Sequence, residues 1–419
     1  MSPVKLEGYE FFNKTLKSPK TILAPMVDQS ELAFRILTKR YGCDVCFTPM
    51  LHARLFSESK KYRDEFFTTN KEDRPLVVQF CANDPDILLN AAKLVEDDCD
   101  AVDLNLGCPQ HIAKRGFYGS YLQDEWELIA KMVSLLHKEL AVPVTVKIRC
   151  FSSVEKTVEY AKMIEAAGAQ MLTVHGRLRE QKGHNTGLAD WTKIKAVKEA
   201  VKIPVVANGN ILYYEDFQRC MDFTGCDAVM TAEGSLYNPA IFSKDMKLPP
   251  LAIDMAQEYL DICKDVKTIG SAIKGHLFKI LHSTLPHHTE MRARLGKART
   301  LDEYDSIVKD LRVAVMKDIE EKGEGEDVQG QADENGIRKY AYWRCQPYFR
   351  PKLPANNGNN NNNQQQVKKR TGETKENDNS KKVKQDSQKE EENVAKLDAI
   401  PLSAAATNTT GTTTTPTEN

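Results

Sequence analysis

The chain has 419 residues, 41% hydrophobic and 28% charged, with a formal net charge of -1. This length accommodates one large and one smaller domain, and the charge excludes a uniformly basic or acidic protein. Ten scattered cysteines favour a reducing compartment over a disulfide framework, and the chain contains no apolar run of membrane length, so we predict no membrane association.

The first twenty residues are charged and mixed, which predicts an N-terminal lead-in over residues 1–20 and no signal peptide. We therefore expect a cytoplasmic protein. Cys43 and Cys46 have the spacing of a zinc-binding pair, but no second Cys or His pair accompanies them. We predict no metal site.

From residue 21 onwards a unit recurs: a short apolar run, a polar turn and a helical segment. Eight such units predict parallel βα repetition, and a closed (β/α)8 TIM barrel over residues 21–245 fits them better than an open sheet. No Gly-x-Gly-x-x-Gly follows the first strand, which argues against a Rossmann domain. The predicted strands are Thr21–Met26, Val45–Pro49, Leu76–Cys81, Ala101–Asn105, Val144–Arg149, Met171–His175, Val205–Asn208 and Ala228–Ala232.

Polar residues recur where these apolar runs stop, which is where barrels carry their chemistry. The central one is Cys108, set between Gly107 and Pro109 after the fourth strand. This position favours a reactive thiol on a loop over a packed core cysteine. The other strand-end residues are Pro25, Met26, Gln79, Asn105, Lys147, Arg149, His175, Arg177, Asn208, Gly209, Asn210, Glu233 and Gly234.

Several of these residues admit two interpretations. Lys147 is compatible with a Schiff base or with an anionic or electron-rich cofactor. His175 is either a core histidine or a rim residue. Asn208-Gly209-Asn210 and Ala232-Glu233-Gly234 close the last two strands, where barrels bind phosphate through backbone N–H groups, but Asn-Gly is also an ordinary turn.

Beyond the barrel, the composition predicts a small helical domain over residues 250–350. Between Lys274 and Arg299, six Lys or Arg residues face one acid, Glu290. This concentration favours a phosphate-backbone partner over a solvated helical face. The aromatic segment Tyr340–Pro351 either stacks on bases or fastens the end of the domain.

Residues 355–419 lack the apolar content for a core, and we expect a disordered low-complexity tail. Lys368-Lys-Arg and Lys381-Lys-Val-Lys lie within it. They leave a nuclear-import signal open beside the interpretation as plain polar tail, and hence a nuclear fraction beside the cytoplasmic one.

The strand ends carry a series of short motifs, in the order Ala24-Pro-Met-Val, Gln79, Asn105-Leu-Gly-Cys-Pro, Lys147-Ile-Arg, Val174-His-Gly-Arg, Asn208-Gly-Asn and Ala232-Glu-Gly. Taken together, these motifs resemble the tRNA-dihydrouridine synthases over roughly residues 21–350. The continuation after Cys108 and the segments beginning at Leu236 and Cys345 are similar to the eukaryotic branch that acts at D-loop positions 16 and 17.

The resemblance implies an oxidoreductase that reduces the uridine C5–C6 bond in tRNA, with FMN on the barrel rim and NADPH or NADH as reductant. It implies that Cys108 is the acid that protonates C5, a role that suits a thiol protonated at neutral pH. It predicts cofactor contacts for Ala24, Pro25, Met26, Gln79, Lys147, His175, Asn208, Gly209, Asn210, Ala232 and Glu233.

The resemblance also implies a helical domain that helps to hold tRNA, and no sequence feature indicates an obligate protein partner. The residues expected at the tRNA are Asn105, Lys114, Arg115, Arg177, Arg179, Lys274 and Arg292. Three alternatives remain: a flavin barrel acting on a small pyrimidine, a Schiff-base aldolase using Lys147, and a tRNA-binding protein without catalysis.

Overall fold

The computed structural model of the protein describes residues 5–322, 337–338 and 340–348. Eight of its parallel strands close into a ring, because β1 pairs with both β2 and β9, and β2 pairs with β4. The TIM barrel is therefore confirmed. Within the described residues the strands are Thr21–Leu23 (β1), Val45–Phe47 (β2), Leu51–His52 (β3), Leu76–Cys81 (β4), Ala101–Leu106 (β5), Val144–Cys150 (β6), Met171–Leu178 (β7), Val205–Asn208 (β8) and Ala228–Thr231 (β9).

Helices surround the barrel, and four more follow it. In the described part of the chain they are Gly8–Lys14 (α1), Leu32–Arg40 (α2), Ala53–Glu58 (α3), Lys60–Phe66 (α4), Pro85–Lys93 (α5), His111–Arg115 (α6), Trp126–Glu139 (α7), Val154–Ala166 (α8), Trp191–Ala200 (α9), Glu215–Thr224 (α10), Glu233–Tyr237 (α11), Ala252–Asp265 (α12), Gly270–Ile280 (α13), Thr289–Lys297 (α14) and Leu301–Lys322 (α15). Single 3-10 turns lie at Lys71–Asp73, Gly119–Leu122, Gly183–Asn185 and Pro239–Phe242.

The second barrel strand is interrupted, a feature absent from the sequence-based prediction. Strand β2 pairs with the start of β4, and the two-residue strand β3 pairs with its end. Between them Pro49 has no N–H to donate, and the hydroxyl of Thr48 accepts the N–H of Gln79 at 3.1 Å. At the break, a side-chain hydroxyl thus takes the place of a backbone carbonyl as the hydrogen-bond acceptor.

The lower end of the barrel, where the strands begin, is filled by helix α1 and the residues directly after it. Phe11, Phe12 and Leu16 are at most 3% exposed and pack against the first inward-facing residues of the strands, among them Val77 and Ala101. The sequence indicated a lead-in at residues 1–20 but not this role. A layer of apolar side chains therefore closes the barrel opposite its rim.

Above this layer the inward-facing positions become polar. In a strand, alternate residues share a face, so Ala101, Asp103 and Asn105 of β5 point inward in succession. On β6, Thr145 lies opposite Asp103 and Lys147 opposite Asn105, with Arg149 one level nearer the rim. All of these polar residues are buried. Buried polar side chains are costly unless paired, and they occupy the part of the barrel nearest the rim.

Helices α12 and α13 pack on the barrel through α2 and the residue before it. Glu31 Oε1 accepts the hydroxyl of Tyr259 (2.7 Å), and Glu31 Oε2 lies 3.0 Å from Nε2 of His276. His276 is fully buried and stacks on Phe34, with ring centroids 4.2 Å apart. This buried contact joins the barrel to the following helices.

The aromatic segment near residue 343 fastens onto the start of α12. Trp343 is 4% exposed, and its carbonyl accepts the N–H of Ala252 at 2.8 Å. Arg344 forms an antiparallel bridge with Leu251. These contacts support the fastening interpretation. The low-complexity tail expected at residues 355–419 lies outside the described residues.

None of the helices that the structure describes combines the length and apolar character needed to cross a bilayer. Across those same residues, no group of three or more His, Cys, Asp or Glu is arranged to hold a metal ion.

Candidate active site

Cys108 follows β5 at the rim, on a loop whose start is held by Asn105. The Oδ1 atom of Asn105 accepts the backbone N–H groups of Gly107 (3.1 Å) and Cys108 (2.9 Å). This Asx-type turn fixes the backbone at the thiol. The Cys108 side chain is half-buried, so it is not sealed in the core.

Residues 108–119 form a closed loop. Ser120 donates its backbone N–H (3.0 Å) and its hydroxyl (2.9 Å) to the carbonyl oxygen of Cys108. Gly119 has a φ of +64°, and a Cβ atom there would lie 2.8 Å from the same oxygen. Glycine is required for this close approach, which brings the two ends of the loop together.

The pKa of the Cys108 thiol is raised by burial, although the Gln110 N–H and the charges of Arg149, Lys147 and Lys182 lower it in part. A thiol with a raised pKa is protonated at neutral pH. Cys108 therefore holds a proton at Sγ that it can donate to a group entering from the rim.

A chain of hydrogen bonds runs inward from Asn105. Asn105 Nδ2 donates to Gln79 Oε1, and Gln79 Nε2 donates to Asp103 Oδ2, each at 2.8 Å. The hydroxyl of Thr145 donates to Asp103 Oδ1 at 2.6 Å. Both ends of the Gln79 amide are engaged, so its predicted contact with a cofactor ring would use the second N–H or lone pair.

Asp103 is fully buried, and burial raises the pKa of its carboxyl to about 6, while the Thr145 and Gln79 hydrogen bonds and the Lys147 charge lower it. Near neutral pH it is mostly ionised. It places a negative charge inside the barrel near Lys147.

Lys147 is 8% exposed, and its Nζ donates to Asn208 Oδ1 at 3.0 Å. Asn208 is oriented by its own bond from Nδ2 to the Met230 carbonyl (2.9 Å). Burial and the charge of Arg149 lower the pKa of Lys147 to about 8, against the raising effect of Asp103. An ammonium has three N–H donors, so Lys147 can donate further hydrogen bonds to a ligand.

His175 and Arg177 form the next part of the rim. Arg177 Nη1 donates to His175 Nε2 at 2.9 Å, so this nitrogen is an acceptor and the ring is neutral. Consistently, burial and the charges of Lys147, Arg149 and Arg177 hold the pKa of His175 well below its ordinary value. Arg177 also donates to Asn210 Oδ1 (3.2 Å).

Asn210 supports a loop rather than offering a free amide. Its Oδ1 accepts the N–H of Ala189 (2.9 Å), and its Nδ2 donates to the carbonyl of the same residue (2.8 Å). At Gly209, φ is +121° and a Cβ atom would lie 2.5 Å from that of Ala189. The close packing explains glycine at this position.

Cations from β6 and the β7 loop hold the backbone around the thiol. Arg149 Nε donates to the Gly107 carbonyl (2.8 Å), and Lys182 Nζ donates to the Pro109 carbonyl (2.8 Å). Arg179 Nη1 donates to the Ser120 carbonyl (3.3 Å). Arg179 was expected at the tRNA; here it also braces the closed loop.

The first and last strands complete the rim. Ala24 is buried, Pro25 and Met26 are half-buried, and the Met26 N–H donates to Ser30 Oγ at 3.0 Å. Ala232 and Glu233 are half-buried at the start of α11. These residues stand at the strand ends where the sequence placed them, and their cofactor contacts remain predictions.

The residues expected at the tRNA fall into two groups. Lys114 and Arg115 are exposed on α6 within the closed loop. Arg292 is exposed on α14, whereas Lys274 is half-buried and donates to the Gly296 carbonyl (3.0 Å). Part of the basic stretch between Lys274 and Arg299 therefore makes hydrogen bonds within the protein.

Sequence reasoning missed Asp103, Thr145 and Lys182. Strand alternation carried a signal for the first, because Asp103 lies two residues before Asn105 and shares its face. Lys182 had no such signal, since its contact with Pro109 depends on how two loops meet.

The charges of the site are unbalanced. Lys147, Arg149 and Arg177, which we call the cationic cluster, repel one another, and burial together with their charges lowers the pKa of the neighbouring His175. Within the described residues, Asp103 is the buried carboxylate that acts on Lys147. A bound anion would relieve this repulsion. The donor set therefore fits a cofactor with a phosphate and an electron-rich ring, and the adjacent thiol provides an acid.

Comparisons with known proteins agree with this chemistry. Residues 22–325 match the family model described as dihydrouridine synthase. The chain is 52% identical over 369 residues to a tRNA-dihydrouridine(16/17) synthase [NAD(P)(+)] of Saccharomyces cerevisiae, covering 83% of this chain and 87% of that one. It is 48% identical to a Mus musculus protein with the same name followed by "-like", covering 83% and 72% of the two chains.

Proposed function

Because the chain belongs to the dihydrouridine synthase family, we propose that it reduces uridine to 5,6-dihydrouridine in the D-loop of tRNA, at positions 16 and 17. The reductant is NAD(P)H, as the names of the relatives indicate for those proteins. The observation that supports this best is the protonated, half-buried Cys108 thiol beside the cationic cluster.

We propose that FMN is the resident cofactor and that Lys147, His175 and Asn208 hold it. When bound, FMN supplies the hydride that uracil C6 accepts, which protein side chains cannot provide. Lys147 would place positive charge beside the electron-rich edge of the ring. The backbone near Gly209 and Ala232 would receive the phosphate, while the Glu233 carboxylate, which repels anions, would contribute through its N–H.

The chain's own contribution to the reaction is a proton at a fixed position. Cys108 Sγ holds this proton because burial raises the thiol's pKa, and it donates the proton to C5 as C6 receives the hydride. Asn105, Ser120 and Arg149 hold the backbone on either side of the thiol. Such positioning lets the acid act without rearrangement of the loop.

The target uridine must leave its stacked position to reach Cys108, at a cost of a few kcal/mol. Phosphate contacts offset this cost. We propose that Lys114 and Arg115 on α6 and Arg292 on α14 supply such contacts, because all three are exposed. In this assignment Asn105 affects the substrate mainly by positioning the Cys108 loop, in addition to any contact of its own amide.

The test is dihydrouridine formation on an unmodified tRNA transcript with NADPH, followed by nucleoside mass spectrometry. Purified protein is expected to show flavin absorbance and to add two hydrogens per target uridine. A colourless protein that turns over no uridine would overturn the proposal. Free uridine as substrate separates it from a flavin barrel that acts on small pyrimidines.

Cys108→Ala is expected to keep the flavin absorbance and to lower dihydrouridine formation by about 10²- to 10⁴-fold, the usual contribution of a positioned acid. Cys220→Ala, a buried cysteine on α10, is the matched control. Near wild-type turnover by Cys108→Ala would contradict the role of the thiol.

A further inference from the structure

Phe117 in the closed loop combines two features that rarely occur together. The residue is 45% exposed, so a large apolar ring is left partly in water. Its backbone has a φ of +51°, in the left-handed region that a bulky residue adopts only when its surroundings impose it. The conformation therefore needs a structural cause.

The cause is the residue that follows. Tyr118 is 5% exposed and packs with Cys81 and Ala113, and its ring meets that of His52 edge-on at 5.5 Å. The ring of Tyr118 also lies over Gly116, where a Cβ atom would be 2.4 Å from it. With Tyr118 fixed inward, Phe117 is turned toward solvent.

The preceding residue is fixed as well. Asn83 Nδ2 donates to the Gly116 carbonyl at 3.1 Å, so a side chain beyond strand β4 holds the loop just before Phe117. On the other side Gly119 contacts the Cys108 carbonyl. The exposed ring is thus carried on a backbone restrained at both neighbours.

Phe117 lies two residues before Gly119, which approaches the Cys108 backbone, and it follows two exposed cations. Two residues span at most about 7 Å, so its Cα lies within that distance of Gly119, which touches Cys108. Lys114 and Arg115 are exposed in the preceding turn. An aromatic ring beside cations is the arrangement that binds unstacked nucleotides, with the ring against a base and the cations at phosphates.

On the premise of the proposed function, we propose that Phe117 is a substrate-binding residue whose ring stacks on a nucleobase of tRNA adjacent to the extruded uridine. Extrusion leaves the neighbouring base without a stacking partner. The ring of Phe117 replaces that partner and so stabilises the tRNA in the form that reaches Cys108.

Phe117→Asn removes the ring and keeps the backbone, since asparagine tolerates a positive φ. It is expected to lower kcat/KM for tRNA by about 5- to 150-fold, the measured range for one base–aromatic stack. Phe117→Tyr should retain most of the activity. Phe223→Asn, at an exposed phenylalanine of similar exposure on α10, should leave kcat/KM unchanged, and all variants should keep wild-type NADPH oxidation without tRNA.

Transcripts with an abasic site immediately 5′ or 3′ of the target uridine identify the contact. Wild type should lose activity on one of them, and Phe117→Asn should lose nothing further on that transcript. A wild-type kcat/KM for Phe117→Asn, or an equal loss on intact and both abasic transcripts, would overturn the stacking role. Should Phe117→Asn lose its flavin, Phe117→Gly serves in its place.

These outcomes remain distinct from a failure of the proposed function. If wild type forms no dihydrouridine on any transcript, the proposed function fails first. If wild type is active and the Phe117 variants are indistinguishable from it, the function stands and the stacking role is wrong.

Discussion

Replacing Asp103 by Asn is expected to stabilise the protein above pH 6. Asp103 is fully buried, and Asn has the same shape without the charge. Its Oδ1 can accept from Gln79 Nε2, and its Nδ2 can donate to the Thr145 hydroxyl, which in the wild type donates to Asp103. The substitution therefore removes the cost of a buried charge, and this gain outweighs the reversed hydrogen bond at Thr145.

The magnitude follows from the pKa of Asp103. Burial raises this pKa from an ordinary 3.8 to about 6, so the folded state binds the proton more tightly than the unfolded state. The stabilisation from this proton is complete below pH 3.8 and is lost as pH rises through 6, a loss of about 3 kcal/mol. Asp103→Asn avoids this loss, and its advantage over wild type should grow across that window.

Urea unfolding of both proteins at steps between pH 4 and pH 8 measures the difference. The exposed carboxylate of Asp124 is a suitable control, because a hydrogen bond from Lys156 lowers its pKa and Asp124→Asn should give no gain. A constant difference between wild type and Asp103→Asn at every pH would refute the raised pKa.

The same substitution should affect catalysis through Lys147. Asp103 raises the pKa of this lysine, which stands at about 8. Without the carboxylate the pKa falls further, and the cationic form is lost at lower pH. The alkaline limb of kcat/KM for tRNA should therefore move to lower pH in Asp103→Asn, as pH–rate profiles would report.

Two further predictions concern the helices after the barrel. His276→Leu should lower the free energy of unfolding by about 1.5–3 kcal/mol, because it removes the hydrogen bond between His276 Nε2 and the half-buried Glu31 carboxylate. Burial raises the pKa of Glu31, but the charge and hydrogen bond of His276 outweigh this effect, so the pKa lies below its ordinary 4.5. The urea midpoints of wild type and His276→Leu should therefore converge as the pH falls below that value. Charge reversal at the exposed Arg292 and Lys297 should weaken tRNA binding in filter assays at low salt. It should flatten the slope of log Kd against log salt by about 1 per lost phosphate contact, and a slope equal to wild type would exclude a role at phosphates.

The barrel was readable from the sequence because its strands are short, apolar and repeated. Their ends also carried Cys108, Lys147 and His175, which the fold brings to one rim. Strand β3 was missed because two residues carry no periodicity of their own. Its pairing depends on the break at Pro49.

The contacts that were missed are those made between distant segments. Glu31 and His276 are 245 positions apart, and neither has a local pattern that names the other. The left-handed conformation of Phe117 was equally hidden, since its cause is the packing of Tyr118 in a small cluster with Cys81. Local sequence patterns predict helices, strands and their buried faces. Contacts between distant segments, such as Glu31 with His276, become visible only in the folded structure.

The apolar layer supplied by α1 determines how solvent reaches the interior. Phe11, Phe12 and Leu16 seal the lower end, so the path by which water or hydronium approaches Asp103 leads down from the mouth. A docked tRNA would cover that same mouth. The Asp103 carboxyl would then exchange its proton with solvent only between turnovers. During each catalytic cycle, Asp103 would keep the protonation state it had when the tRNA bound.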